Sequence, residues 1–173
     1  MPDEGLVERV WWGRGRGPAL ARAALRPLEL LYRGIVAARG ALYDAGLLRS
    51  HALGMPAISV GNLSVGGTGK TPVSAWIAGE LVRRGARPAI VLRGYGEDEP
   101  LVHAVLNPSV PVVVDADRLL GAQRARSLGA DVLVLDDAFQ HRRARRDADV
   151  VLVSADRWSP DVRLLPAGPW REG

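Results

Sequence analysis

A single lysine, Lys70, stands among 23 basic residues; the other 22 are arginine. It sits at the end of the run Gly61-Asn62-Leu63-Ser64-Val65-Gly66-Gly67-Thr68-Gly69-Lys70-Thr71. A loop that binds phosphate needs small residues, so that its backbone N–H groups can turn inward around the oxygens, and the positive end of a helix behind it. It also needs a lysine for the β- and γ-phosphates and a hydroxyl for Mg²⁺. Val65, Gly66, Gly67, Thr68, Gly69, Lys70 and Thr71 supply these parts. Ser64 departs from the usual GxxxxGK[ST] pattern, which has glycine there. A compact ammonium kept once, in a chain that otherwise uses the broad guanidinium fork, points to a site that arginine does not fit. The alternative is a glycine-rich turn that binds nothing.

Two further groups of acids follow apolar runs. Val132-Leu133-Val134-Leu135 ends in Asp136 and Asp137. An acid at the end of a parallel strand lies on the edge where ligands collect, and can hold Mg²⁺ directly or through water opposite Thr71. Paired acids also cap helices and form turns. The third motif is Arg93-Gly94-Tyr95-Gly96-Glu97-Asp98-Glu99-Pro100. Asp98 and Glu99 before a proline suit a helix start, and an acid on the same edge also suits a general base for a hydroxyl attacking a γ-phosphate. Composition leaves both readings of Asp98 open.

The densest positive run is His141-Arg142-Arg143-Ala144-Arg145-Arg146, read as a solvated face or as a surface that steers an anionic substrate. His51 and His103 have no partner at metal-ligand spacing and are expected to be structural. Nucleic-acid binding is not expected, because aromatic residues do not interleave with the basic run and only Phe139 lies near it.

The elements that must position these residues are legible in texture. Ala57 to Gly61, Pro88 to Arg93, Val110 to Val114, Asp131 to Asp136 and Asp149 to Val153 are short apolar runs without alternation, as buried parallel strands are. Helices are predicted over about 70–84, 100–107 and 117–128. The alternation predicts a doubly wound α/β domain, a P-loop NTPase-like parallel sheet with helices on both faces. Before it, Pro18 to about Gly46 predicts an amphipathic helix, with Leu28, Leu31, Tyr32, Ile35 and Leu42 on one side and Arg22, Arg26, Glu29 and Arg33 on another. Residues 1–17, with Trp11 and Trp12, predict a flexible basic arm. Seven arginines and one acid between residues 9 and 43 give that region a charge of +6, above the +4 of the whole chain. The expected division is 1–50 for arm and membrane-surface helix, and 51–173 for the nucleotide-binding domain.

Length and composition set the bounds. The 173 residues suffice for one domain with a buried core, and 47% hydrophobic with 24% charged residues is globular composition. The absence of cysteine excludes disulfides, thiolate metal sites and cysteine nucleophiles. No run approaches the ~18 apolar residues of a membrane span, and the acids Asp3, Glu4 and Glu8 argue against a secretory signal. A cytoplasmic protein is expected.

Taken in order, the motifs resemble the tetraacyldisaccharide 4′-kinase, or lipid A 4′-kinase, family. The matching segments are Leu42 to Gly46, Val60 to Pro72, Arg93 to Gly96, Asp98 to Pro100, Asp136 to His141 (DDAFQH) and Leu164 to Glu172 (LLPAGPWRE). The resemblance implies ATP and Mg²⁺ as cofactors and an acylated disaccharide 1-phosphate as the acceptor of the γ-phosphate. It implies the cytoplasmic face of the inner membrane as location, with the N-terminal helix similar to a peripheral anchor. Lys70 and Thr71 match the phosphate-binding lysine and the magnesium-binding hydroxyl, and Ser64 matches a position where serine or threonine is usual. Asp98 matches the proposed base, and Asp136 and Asp137 the acidic pair; Glu99, Arg118, His141 and Glu172 match further site positions. The family usually has a longer segment before the DEP motif, a glycine at Ala138 and a proline at Gly173. It also continues into a second α/β half, so the chain is expected to be the N-terminal half of a kinase. Other readings are a nucleotide-dependent membrane switch like the partitioning ATPases, which carry a further lysine early in the loop, and an inactive half-kinase.

Overall fold

A computed structural model describes residues 5–94, 98–155 and 162–172. Of the sequence motifs, Asp3, Glu4, Tyr95, Gly96, Glu97 and Gly173 lie outside the described residues. Two compact units are present. One comprises Leu48–Asn62 and Gly67–Leu152; the other comprises the chain up to Leu47, the segment Leu63–Gly66 and the chain from Val153 onward.

The first of these is a five-stranded parallel sheet: β1 (Ala57–Asn62), β2 (Pro88–Leu92), β3 (Val112–Val114), β4 (Val132–Asp136) and β5 (Ala148–Leu152). The strand order is β3-β2-β4-β1-β5. Every residue of β2 and β4 is buried, which explains their lack of polar alternation. Successive side chains enter opposite faces. Val91, Leu133 and Leu135 join Ala122 and Ala125 in one core, while Ile90, Leu92 and Val134 join Ala78 in another. The first core packs α5 (Arg118–Ser127) and the second packs α3 (Lys70–Arg83), so helices cover both faces as expected. α4 (Asp98–Leu106) starts two residues earlier than its predicted boundary, at the acids before Pro100. β5, at the sheet edge, is the most exposed strand, and an Arg146–Asp149 ion pair at 2.8 Å sits on it. Charge of this kind discourages pairing with another chain.

The second unit differs from expectation at two points. The predicted flexible arm contains a helix, α1 (Val7–Trp12), and α2 begins at Arg16 and runs to Asp44. The arm is tied down by its polar groups: the Trp11 indole N–H donates to Pro166 O at 3.0 Å, and Arg22 donates to Val10 O at 2.6 Å and Gly13 O at 3.0 Å. On α2 the expected polar face is not all solvated. Glu29 is only 5% exposed, accepts the Leu164 N–H at 3.0 Å and lies 3.5 Å from the Arg33 guanidinium. The Tyr32 hydroxyl donates to Arg171 O at 3.1 Å. A buried carboxylate is costly without partners, and the backbone amide and Arg33 supply them. Leu28, Leu31 and Ile35 of the same helix are instead 53%, 62% and 58% exposed. Among the described residues no helix is long and apolar enough to cross a membrane.

Candidate active site

β1 and β4 are neighbours, with Val60 level with Asp136. That register brings the segment after β1, which carries Lys70, and the acid pair after β4 to one edge of the sheet. Gly69 is the residue before α3 and has φ 77°, in the left-handed region where a side chain is strained. Lys70 and Thr71 open α3, so the positive end of the helix dipole lies at the loop. Asn62, at the end of β1, donates its side-chain N–H to Thr68 Oγ1 at 3.0 Å, and Gln140 of the DDAFQH motif donates to Asn62 O at 2.7 Å. The loop and the acid motif are thereby braced on the same strand end. In the other unit, the Val65 amide donates to Pro169 O at 2.8 Å, Ser64 bridges to Trp170, and the Arg171 amide donates to Leu63 O at 2.7 Å. Gly66 has φ 123° there. Glu172 is partly buried and next in sequence to Arg171.

Lys70 Nζ lies 3.7 Å from Asp137 Oδ1, and both side chains are partly buried. Asp137 has φ 48°, the one non-glycine residue with positive φ among the described residues. Strain of this kind persists where surrounding contacts enforce it, often at functional sites. Asp136 is buried, and both of its carboxylate oxygens are engaged: Ser74 Oγ donates to Oδ1 at 3.0 Å, and His103 Nε2 is 2.9 Å from Oδ2. Arg118 is also buried, and it donates to Asp115 O at 2.8 Å and to Asp136 O at 3.0 Å. It holds the backbone at the end of β4. Asp98 is the exposed first residue of α4 and Glu99 the partly buried second. An open apolar recess of about 310 Å³ is lined by Asp98, Leu101, Val102, Val105 and Leu106.

His141 is half-buried. Burial pushes its imidazole below the ordinary value, and the Arg118 guanidinium adds to that push. Asp117 opposes it, and Arg143 and Arg93 reinforce it. Its Nε2 is buried without a hydrogen-bond partner, in keeping with a neutral ring.

Hard oxygen donors suit Mg²⁺, and Thr71, Asp136 and Asp137 provide a hydroxyl and two carboxylates. Among the described residues no group of three or more His, Asp or Glu side chains is gathered to hold a metal alone. The donor set is of the kind that suits a magnesium ion that keeps waters and shares phosphate oxygens.

His103, Ser74, Asn62 and Gln140 were not marked as site residues by the sequence. For His103 a signal existed: it is a polar residue on the otherwise apolar stretch Leu101 to Leu106. Such a residue needs a buried partner.

A parallel sheet with a glycine-rich loop opening a helix beside an acid-tipped strand defines the class as a P-loop-type α/β nucleotide-binding fold. The sequence model described as Tetraacyldisaccharide-1-P 4'-kinase (LpxK) matches residues 21–99 and 96–173, and the chain belongs to that family. It is 43% identical over 192 residues to the tetraacyldisaccharide 4'-kinase of Anaeromyxobacter sp. (strain Fw109-5), covering 96% of this chain and 52% of that one. It is 45% identical over 172 residues to that of Halorhodospira halophila, covering 88% and 52%. The crystal structure of "apo" form LpxK from Aquifex aeolicus, in complex with ATP, superposes with a TM-score of 0.80 at 38% identity, covering 88% of this chain and 55% of that one. The chain thus spans about half the length of the curated relatives it matches. The family match breaks at residues 96–99, where Glu97 alone separates RGYG from DEP.

Proposed function

We propose that the protein works as an ATP- and Mg²⁺-dependent phosphotransferase that moves the γ-phosphate to the 4′ hydroxyl of a tetraacyldisaccharide 1-phosphate. The observation that carries this reading is the register of Val60 with Asp136, which sets the lysine-bearing loop beside the acid pair. Family membership and the ATP held by the Aquifex aeolicus structure support the nucleotide and the acceptor.

Ser64 to Thr71 would cradle the phosphates with backbone N–H groups, and Lys70 would stabilise charge that grows on the β- and γ-phosphates during transfer. Its pairing with Asp137 holds the ammonium beside the acid pair. Thr71, Asp136 and Asp137 would hold Mg²⁺, which supplies charge neutralisation on the phosphates. Asp98 would accept the proton of the attacking hydroxyl. Its exposure leaves it open to an acceptor, and the apolar recess beside it suits an acylated one. Arg118 would add positive potential behind the acids, with His141, as a neutral ring, and Glu99 as further site positions. The open leucines of α2, among its arginines, support a peripheral position at the cytoplasmic face of the inner membrane.

The test is transfer of label from γ-labelled ATP to the lipid disaccharide by the chain and by its Lys70→Ala variant. Labelled lipid only with the unsubstituted chain supports the reading; nucleotide hydrolysis with no labelled lipid would favour a switch ATPase.

A further inference from the structure

His103 is fully buried on α4, five residues after Asp98, and Asn107 follows just past the end of that helix. The imidazole Nε2 is 2.9 Å from Asp136 Oδ2, while Ser74 Oγ occupies Oδ1 at 3.0 Å. His103 Nδ1 is buried without a hydrogen-bond partner. A bare acceptor nitrogen in that place is tolerated more readily than an orphaned N–H, so the proton belongs on Nε2, donated to the carboxylate. The Asn107 side chain donates to Ala75 O at 2.8 Å, and its backbone N–H donates to His103 O at 2.9 Å. Ser74 and Ala75 both belong to α3, the helix opened by Lys70 and Thr71. Thus α4, headed by Asp98, is bolted by polar contacts to the loop helix and to the acid strand.

We propose that His103 is a positioning residue for the nucleotide site: its Nε2–H fixes the rotamer of the Asp136 carboxylate, so that the magnesium-dependent part of nucleotide affinity depends on α4. The inference rests on the kinase reading above. Partners that orient a metal-site ligand typically change metal affinity by about 10- to 100-fold when removed. A histidine that merely filled space would change folding stability and leave the effect of Mg²⁺ alone.

Calorimetric titration of the full 173-residue chain with ATP, once with Mg²⁺ and once with EDTA, separates these roles. The variants are His103→Leu and His103→Ala, which remove the donor, and His103→Gln, whose amide can replace it; each is first checked for a cooperative thermal transition. The expected result is that the gain in ATP affinity from Mg²⁺ falls about tenfold or more in a folded donor-less variant, while affinity in EDTA stays within about twofold. His103→Gln recovers most of the gain. An unchanged gain in the donor-less variants, an equal loss in Mg²⁺ and EDTA, or no recovery with glutamine would overturn the inference. So would failure of both donor-less variants to fold while His103→Gln folds. Absence of ATP binding by the unsubstituted chain would instead overturn the kinase reading, and the inference with it.

Discussion

Asp98 opens α4 with an exposed carboxylate, and an acid so placed can cap a helix or take a proton. The two jobs leave different traces on substitution. As a base it acts on the transition state, so Asp98→Ala should lower kcat for transfer by about 100-fold or more with ATP affinity nearly intact. As a helix cap alone it would cost ~1 kcal/mol of stability, seen as a lower Tm, with no selective loss of transfer. Single-turnover kinetics beside a thermal melt reads both quantities. His141 gives a prediction in pH. The unfolded ring titrates near 6.5, and burial beside Arg118 holds the folded value lower. Between the two values the unfolded chain binds a proton that the folded chain refuses, so stability from this residue is present above about pH 6.5 and is lost as pH falls through that value. His141→Gln should therefore shrink the drop in Tm between about pH 7.5 and pH 5.5; an unchanged drop would show that His141 does not control it. Lys70, Thr71, Asp136 and Asp137 were legible as candidates in the sequence because their types and spacing follow the patterns of a phosphate-binding loop and an acid-tipped strand. His103 carried only the signal of a polar residue in an apolar stretch and its role did not show, because its partner Asp136 lies 33 residues away and only packing of α4 against α3 and β3 brings the two together.

At the scale of elements, the strands were readable because a parallel sheet covered on both faces needs unbroken apolar runs, and β2 and β4 are such runs. α1 was hidden, since six residues among glycines and arginines carry little periodic signal and its anchoring comes from Pro166, far along the chain. α2 was legible as a helix but not in its orientation: the burial of Glu29 depends on the Leu164 amide, which no local pattern announces. The leucines thus left open are predicted to meet lipid. Vesicles containing anionic lipid should bind the chain, each well-placed arginine adding about 1 kcal/mol near such a surface. Replacing Leu28, Leu31 and Ile35 together by serine should weaken sedimentation with those vesicles, and raising salt should weaken it further. Equal partitioning onto neutral and anionic vesicles would contradict the role of the arginines.

For the molecule as a whole, the chain matches about half the length of its curated relatives. Phosphoryl transfer depends heavily on holding the acceptor in line with the γ-phosphate. The 173-residue chain is accordingly expected to bind Mg-ATP and yet to phosphorylate the disaccharide much more slowly than a full-length relative assayed beside it; equal rates would show that these residues position the acceptor unaided. All of this stands on the loop around the sole lysine. Calorimetric titration of Mg-ATP into the chain and into its Lys70→Arg variant tests that loop most directly, because arginine preserves the charge and alters only its shape and reach. Saturable binding by the chain with none detectable for Lys70→Arg is the predicted result; equal affinity of the two would contradict the assignment of the nucleotide site.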